Sequence, residues 1–324
     1  MSNRPQHAES SAPTRPSKQT AEGHWEWWTR AAIGLTVLAF VTWMYVLFGS
    51  GIWSVAAHSY LVPILGAFTL PVTFWGVVKT VFNPPLLRRR RIVGFALLIA
   101  TAVFCTVPMF PAPVSTGGWT SEHAYRLPFE GEWYTTAGGP HLERNYHAVA
   151  SWSRWAYDFT VRKDGSRHSG DGESLEDYYC FGRPVLAPVG GKVIRLEGSL
   201  KDAPPGEHDE TSTLGNHLVI EVGPREYLFL ATLKKNSLDV EVGDVVSPGQ
   251  KVAECGNSGR TFLPHVHVHL QNRARFPLAE GLPLRFTEYR ADGEIVSRGM
   301  PLGAGEGGTP EGQRVAPVDG SEAR

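Results

Sequence analysis

Three long apolar stretches occupy the first third of the chain. They cover residues 31–52, 60–82 and 92–109, and none carries an internal charge except Lys79, which lies close to an end. A helix needs about 20 consecutive apolar residues to cross a bilayer. The pattern therefore predicts three transmembrane α-helices in a membrane domain at residues 29–110. Buried helices of a soluble domain are the alternative interpretation.

Charge suggests an orientation for these helices. Four arginines, Arg88 to Arg91, lie between the second and third stretches, whereas the loop at 51–59 has no lysine or arginine. Basic loops stay on the cytoplasmic side. With three crossings, residues 1–28, a polar tail expected to be disordered, lie in the cytoplasm. The prediction is a multi-pass protein of the cytoplasmic membrane whose C-terminal part is extracytoplasmic.

After a linker at 111–118, the pattern changes to short apolar runs separated by glycine, proline and aspartate. Such runs at short spacing are typical of antiparallel strands, and they predict an all-β antiparallel domain at residues 119–299. The predicted strands include residues 184–188, 192–196, 217–222, 227–233 and 263–270. Polar stretches at 162–177 and 198–212 are predicted loops. The composition of residues 300–324 predicts a disordered tail.

Composition narrows the possible functions and leaves one question open. The net charge is -1, which gives no electrostatic reason to expect a nucleic-acid partner. Of the three cysteines, Cys105 lies in the third apolar stretch, while Cys180 and Cys255 lie in the predicted β domain. An oxidising compartment would permit those two to pair. The sequence alone does not establish that they are close together.

The segment with the clearest chemistry is a histidine-rich strand. His265, His267 and His269 alternate with Val266 and Val268. Side chains alternate faces along a strand, so the three imidazoles are expected on one face, about 6.6 Å apart in sequence order. Two neighbouring histidines can then contact one metal ion and its bound water, whereas His265 and His269 are too far apart to share one metal ion. A surface strand with incidental histidines is the alternative.

Two further candidates for metal ligands lie upstream. Asp158 stands among Trp155, Tyr157 and Phe159 in a strand-like context, where an unpaired carboxylate is expensive to bury and a cation would offset that cost. His147 is the second candidate. Taken separately, each has an ordinary interpretation, as an edge-strand aspartate or a loop histidine.

Residues 127–271 resemble the lysostaphin-like zinc metallopeptidases, also called LytM-like domains. The ordered motifs are RWAYDF at 154–159, GRPVLAP at 182–188, GKV at 191–193, GNHLVI at 215–220, VGDVV at 242–246, GQ at 249–250, GNSG at 256–259 and PHVH at 264–267. The resemblance implies a small antiparallel β-sheet metallopeptidase-like domain that cleaves peptide bonds in peptidoglycan or similar substrates. It leaves the membrane segment unexplained.

The same resemblance implies a Zn²⁺ site. It makes Asp158 and His267 metal ligands and His265 a catalytic acid or base. The family's first ligand histidine commonly lies four residues before the aspartate, where this chain has Arg154. Some members have a longer gap, so we assign this role to His147, with His141 as the weaker substitute.

A second departure concerns catalysis. The family's other catalytic histidine corresponds to Thr232 in this chain. Threonine can donate a hydrogen bond to an oxyanion but carries no imidazolium charge, and losing one such contact costs on the order of 100-fold to 1000-fold in rate. His217 is the nearest candidate for a replacement.

We therefore predict a membrane-anchored zinc metalloendopeptidase that hydrolyses peptide bonds of peptidoglycan or a similar extracytoplasmic peptide. The first alternative is a catalytically degenerate LytM-like domain that binds the cell wall or a partner protein. A cupin-type or lectin-like metal barrel is the second, but it usually needs a glutamate shortly after the histidines, and residues 270–273 contain none.

Overall fold

The computed structural model describes residues 25–49, 51–106, 115–275, 278–305 and 310–318. These residues divide into two compact units. One lies within Met1–Ala39 and Leu65–Phe104, and the other within Phe40–Ile64 and Cys105–Arg324.

The apolar segment is helical. Its helices are α1 (Trp27–Phe48), α2 (Ile52–Ala56), α3 (Val62–Phe82) and α4 (Arg89–Phe104), and a π-helical turn at Ala57–Leu61 joins α2 to α3. Helix α1 and the continuous helical run Ile52–Phe82 are long and apolar enough to cross a membrane. They correspond to the first two predicted spans.

The prediction of a third transmembrane helix is wrong for the described residues. Helix α4 has 16 residues, about 24 Å at 1.5 Å per residue, whereas the hydrocarbon core is about 30 Å thick. The helix begins among the arginines and ends at Phe104. Arg91 in its first turn is buried and forms an ion pair with Glu26 at 2.6 Å. The predicted third span began at residue 92, after these arginines, and its last residues, 107–109, lie outside the described part.

The C-terminal part of the chain is an antiparallel β domain, as predicted. Its strands are β1 (Trp133–Ala137), β2 (Tyr157–Thr160), β3 (Pro184–Leu186), β4 (Gly191–Glu197), β5 (Asn216–Gly223), β6 (Glu226–Leu233), β7 (Val245–Val246), β8 (Lys251–Glu254), β9 (Val266–Gln271), β10 (Gly281–Leu282), β11 (Phe286–Ala291), β12 (Glu294–Gly299) and β13 (Arg314–Pro317). The main sheet has the order β12-β11-β13-β1-β2-β9-β6-β5-β4-β7, with β10 on β9, while β3 pairs with β8.

Strand β9 lies near the middle of the main sheet and separates two environments. Val266, Val268 and Leu270 enter the hydrophobic core on one face. His267 and His269 lie on the other face, where their rings contact each other. This is the alternation expected for a strand. Burying the apolar side chains on one face thus fixes which way the histidines point.

The predicted disordered tail at 300–324 is wrong in part. Residues 314–317 form β13, which pairs with β1 on one side and β11 on the other. Val315 is buried in the core. The run at 314–317 is too short to be recognised within its glycine-rich surroundings, but the two flanking strands satisfy its backbone hydrogen bonds. The β domain therefore extends past residue 299. Parts of the predicted tails and linker, residues 1–24, 111–114, 306–309 and 319–324, lie outside the described residues.

A disulfide bond joins Cys180 to Cys255, with their Cα atoms 6.0 Å apart. It links the segment that precedes β3 to the residue after β8, and both cysteines are buried in the core. Disulfides persist mainly in oxidising compartments. The sequence alone did not establish that Cys180 and Cys255 are close together, and the structure shows that they pair.

Candidate metal centre

The pairing of β2 with β9 brings together residues that are far apart in sequence. Asp158 on β2 lies directly opposite His267 on β9. Directly opposed residues on neighbouring strands point to the same face of the sheet. Because the apolar side chains of these strands are buried on the opposite face of the sheet, the Asp158 carboxylate lies beside the His267 imidazole.

His147 reaches the same point from a short 3₁₀ helix, Tyr146–Val149. Asn145 caps this helix, since its side-chain oxygen accepts a hydrogen bond from the His147 backbone N–H at 3.1 Å. The Asn145 amide nitrogen donates to the carbonyls of Gly139 and Ala156. Because Asn145 is fully buried, these bonds hold the helix, and with it His147, against the sheet.

Asp158 is the centre of the cluster. Its Oδ2 lies 3.0 Å from His147 Nε2, and its Oδ1 lies 2.8 Å from His267 Nδ1. The Tyr146 hydroxyl also donates to Oδ2. Burial alone would raise the pKa of Asp158, but His147 and His265 nearby and the hydrogen bond with His147 hold it well below its usual range. The carboxyl group is therefore ionised.

These three side chains can hold a metal ion. Their potential ligand atoms all lie within 4.8 Å of one another. Burial lowers the pKa of His267, which favours the neutral imidazole that binds metals. Three protein ligands would leave a coordination position open for a reacting molecule.

A hydrogen-bonded chain behind His267 supports this assignment. His267 Nε2 lies 2.9 Å from His269 Nδ1, and His269 Nε2 lies 3.2 Å from Gln271 Oε1. The Gln271 amide nitrogen donates to the Arg273 carbonyl at 2.6 Å, so its oxygen accepts from His269. His269 Nδ1 then accepts from His267 Nε2–H.

This donor order leaves His267 Nδ1 without a hydrogen. An imidazole lone pair and a carboxylate oxygen, both acceptors, then face each other at 2.8 Å. Two acceptors at that distance repel unless a cation lies between or beside them. The arrangement therefore fits a metal ion. The sequence placed His269 on the correct face but did not reveal its contact with His267.

His265 lies immediately before β9 and faces the same centre. Its Nδ1 is 2.9 Å from the Leu263 carbonyl and 3.1 Å from the Thr261 hydroxyl. Its Nε2 lies 3.5 Å from Asp158 Oδ1. Because Nδ1–H donates to the Leu263 carbonyl, Nε2 has a lone pair that can accept a proton next to the metal group.

Thr232 lines the same cavity but uses its hydroxyl within the protein. The hydroxyl oxygen is 2.6 Å from the Ala231 carbonyl and 2.7 Å from the His265 carbonyl. It also accepts from the His267 backbone N–H at 3.3 Å. The single hydroxyl proton is thus directed at carbonyl oxygens. Thr232 ties the end of β6 to the histidine strand instead of offering a donor to a substrate.

The other sequence candidates lie away from the cluster. His141 is exposed and does not belong to the metal group, which leaves His147 as the histidine beside Asp158. Arg154 donates to the Ala148 carbonyl at 3.1 Å. His217 Nδ1 lies 2.8 Å from the Gly215 carbonyl, and His217 does not line the cavity in the described part of the chain. His217 therefore does not replace the missing histidine.

The metal group opens into a cavity of ≈ 690 Å³. Its walls include the 3₁₀ helix, the ends of β2 and β6, and the loop that precedes β9. Trp152 and Phe262 contribute apolar surface to it. The cavity is large enough for a peptide-sized group.

Comparison with known proteins identifies part of this domain. Residues 176–277 match the sequence profile of peptidase family M23. This stretch contains His265 and His267, whereas His147 and Asp158 precede it. No curated protein matches the chain significantly.

Among solved structures, the chain is similar to a zinc-containing peptidase from Vibrio cholerae, with 22% identity, 50% of this chain and 40% of that chain covered, and a TM-score of 0.32. It thus spans less than half the length of that relative. The catalytic domain of a prophage-encoded M23 protein from Enterococcus faecalis has 19% identity, with 49% and 93% covered and a TM-score of 0.32. Lysostaphin from Staphylococcus simulans has 14% identity, with 63% and 96% covered and a TM-score of 0.28. On the profile match, this chain contains a domain of peptidase family M23.

Proposed function

We propose that this protein is a membrane-anchored zinc metalloendopeptidase that hydrolyses peptide bonds of peptidoglycan or a similar extracytoplasmic peptide. The observation that carries the proposal is the group of His147, Asp158 and His267 in a cavity that also contains His265. Two imidazoles and one carboxylate are ligands that zinc prefers in catalytic sites. The family match supports the same reaction.

Each residue has a distinct part in this chemistry. Zinc would supply Lewis acidity, which polarises a carbonyl and makes an attacking water more acidic. His147, Asp158 and His267 would hold the ion, with His269 fixing the ring of His267. His265 Nε2 would accept a proton from the attacking water and deliver it to the leaving amine, since Leu263 and Thr261 fix its other nitrogen.

A second candidate function is binding without cleavage. Thr232 carries no positive charge, and its hydroxyl proton is directed at the carbonyls of Ala231 and His265. Electrostatic stabilisation of an oxyanion is usually the largest single contribution to such catalysis. A domain without it can retain zinc and bind cell wall or a partner protein while turnover is slow.

Zinc analysis and digestion of peptidoglycan by the purified full-length protein separate these functions. We expect one zinc per chain and release of peptide fragments, measured by chromatography and mass spectrometry. His265→Ala should abolish release because the proton acceptor is lost, and it serves as the control for contaminating peptidases. If the wild-type protein binds zinc and peptidoglycan but releases no fragments, the protein is a binding module and the enzyme proposal fails.

We infer an extracytoplasmic β domain from the Cys180–Cys255 disulfide. A reporter enzyme that works only outside the cytoplasm should be active when fused to the C-terminus, and a reporter that works only in the cytoplasm should be inactive there. The opposite result would contradict this placement.

A further inference from the structure

The cavity beside the metal group has an excess of positive charge. Among the described residues that line it, Arg167 and Arg260 are basic, and Asp158 is the one carboxylate. Asp158 already faces three histidines and Tyr146. A bound divalent cation would add to the excess. The electrostatic potential of this cavity therefore favours an anionic ligand.

Arg167 is a cavity-lining cation that makes no direct polar contact through its side chain among the described residues. Its side chain is partly buried, and its guanidinium forms no hydrogen bond or ion pair with any residue in the described part of the chain. Burial is the main cause that lowers its pKa, and the like charge of Arg162 adds to it, while Tyr146, Tyr178 and Asp158 nearby only partly oppose this shift. Other partly buried arginines of the domain do find partners, since Arg154 and Arg285 each donate to a carbonyl.

The backbone around Arg167 is nevertheless held in place. The Arg167 carbonyl accepts a hydrogen bond from the Tyr179 N–H at 3.1 Å, and the next residue, His168, pairs with Tyr178. Tyr178 precedes Cys180 by two residues, and the disulfide anchors that segment to the core. Arg167 thus projects from a fixed support. A fixed, partly desolvated cation without a partner is costly unless a ligand compensates it.

We propose that Arg167 binds a carboxylate of the substrate, so that the protein selects peptides with a free carboxylate close to the scissile bond. The proposal rests on the proposed function, because it places this anion next to the same metal group. Guanidinium is suited to the role because its fork of N–H donors matches the two oxygens of a carboxylate. The carboxylate is either a peptide's C-terminus or an acidic side chain.

Matched peptides distinguish these two sources. One pair has the same sequence with a C-terminal carboxylate or a C-terminal amide, and the other has glutamate or glutamine next to the cleaved bond. We expect kcat/KM of the full-length protein to be higher for the carboxylate member of one pair by about ten-fold or more, as expected for a charge-assisted bond. The pair that shows the preference identifies the source.

Variants assign the preference to Arg167. In Arg167→Gln the ratio within the pair should fall to about one, with zinc content and melting temperature unchanged, whereas Arg167→Lys should keep part of it. Lys192→Gln is the matched control, because it removes one positive charge from an exposed site on β4 that does not line the cavity. A wild-type ratio near one, or a ratio that survives in Arg167→Gln, overturns the proposal.

A binding measurement keeps this inference separable from the proposed activity. Peptide affinity is measured by calorimetry for His265→Ala and for His265→Ala combined with Arg167→Gln. If no form cleaves peptide but the single variant still prefers carboxylate and the double variant does not, the anion site stands and the peptidase function fails. If the wild-type protein cleaves acid and amide peptides equally well, the peptidase function stands and the anion site fails.

Discussion

Asp158→Asn is expected to lower the zinc affinity of the full-length protein on the order of 1000-fold or more, because it removes the one negative charge among the described residues of the site and leaves only a neutral amide oxygen as a ligand. Asp158 is buried and lies within hydrogen-bond distance of His147 and His267. Asparagine has nearly the same shape but no charge. Competition with a chromophoric chelator in metal-limited buffer measures the change.

His147→Ala should have a similarly large effect, and His141→Ala provides its control. The two histidines lie on the same segment, but His141 is exposed and lies outside the metal group. Zinc affinity should therefore be unchanged in His141→Ala. Full zinc occupancy in His147→Ala together with loss in His141→Ala would show that the structure brings the wrong histidine to Asp158.

His269→Gln should give an intermediate result in the same titration. His269 is not a ligand, but its Nδ1 accepts from His267. Loss of such a supporting contact typically costs 10-fold to 100-fold in metal affinity, roughly, because the ligand ring loses its orientation. A purely structural role would lower the melting temperature and leave zinc affinity unchanged, so both quantities are measured on the metal-free protein and in the titration.

Local pattern was sufficient to predict the part of this site that lies on strands. The alternation of histidine with valine requires only that one face of β9 be buried, and Val266 and Val268 do enter the core. The cost of burying a carboxylate identified Asp158 as a candidate ligand. Asp158 lies opposite His267 where β2 pairs with β9, although the two residues are 109 positions apart in the chain. The pairing itself was not visible in the sequence, but both partners were.

Features that depend on tertiary contacts escaped prediction. The capping of the 3₁₀ helix by Asn145, which sets the position of His147, depends on carbonyls at residues 139 and 156. Strand β13 forms by pairing between β1 and β11, so it depends on both of these strands. The start of α4 at Arg89 reflects the partners that Arg91 finds in the folded unit. None of these has a period or composition that a local window detects.

Backbone geometry changes the meaning of Thr232. Its φ is 60°, a left-handed conformation in which a β-branched residue is an outlier, whereas histidine and asparagine are tolerated several-fold better. Its hydroxyl accepts and donates within the protein, which holds the end of β6 beside His265 and His267. Thr232 is thus a structural residue at a position whose backbone suits a histidine.

Thr232→His is therefore expected to raise the rate of peptide hydrolysis by about ten-fold or more, because an imidazolium would stabilise the developing oxyanion. The substitution fits the positive φ, so we expect no large loss of stability despite the lost hydroxyl bonds. The measurement is kcat with a cell-wall peptide, alongside the melting temperature.

Thr232→Asn is the matched control for this gain. Asparagine also fits a positive φ but carries no charge, so it reports the effect of relieving the backbone alone. We expect it to leave hydrolysis close to the wild-type rate. If the wild-type protein cleaves well and Thr232→His slows it, the site works without a charged donor at this position, and Tyr146, whose hydroxyl already contacts Asp158, becomes the first side chain to test. If Thr232→Asn raises the rate as much as Thr232→His, the gain comes from the backbone and the electrostatic explanation fails.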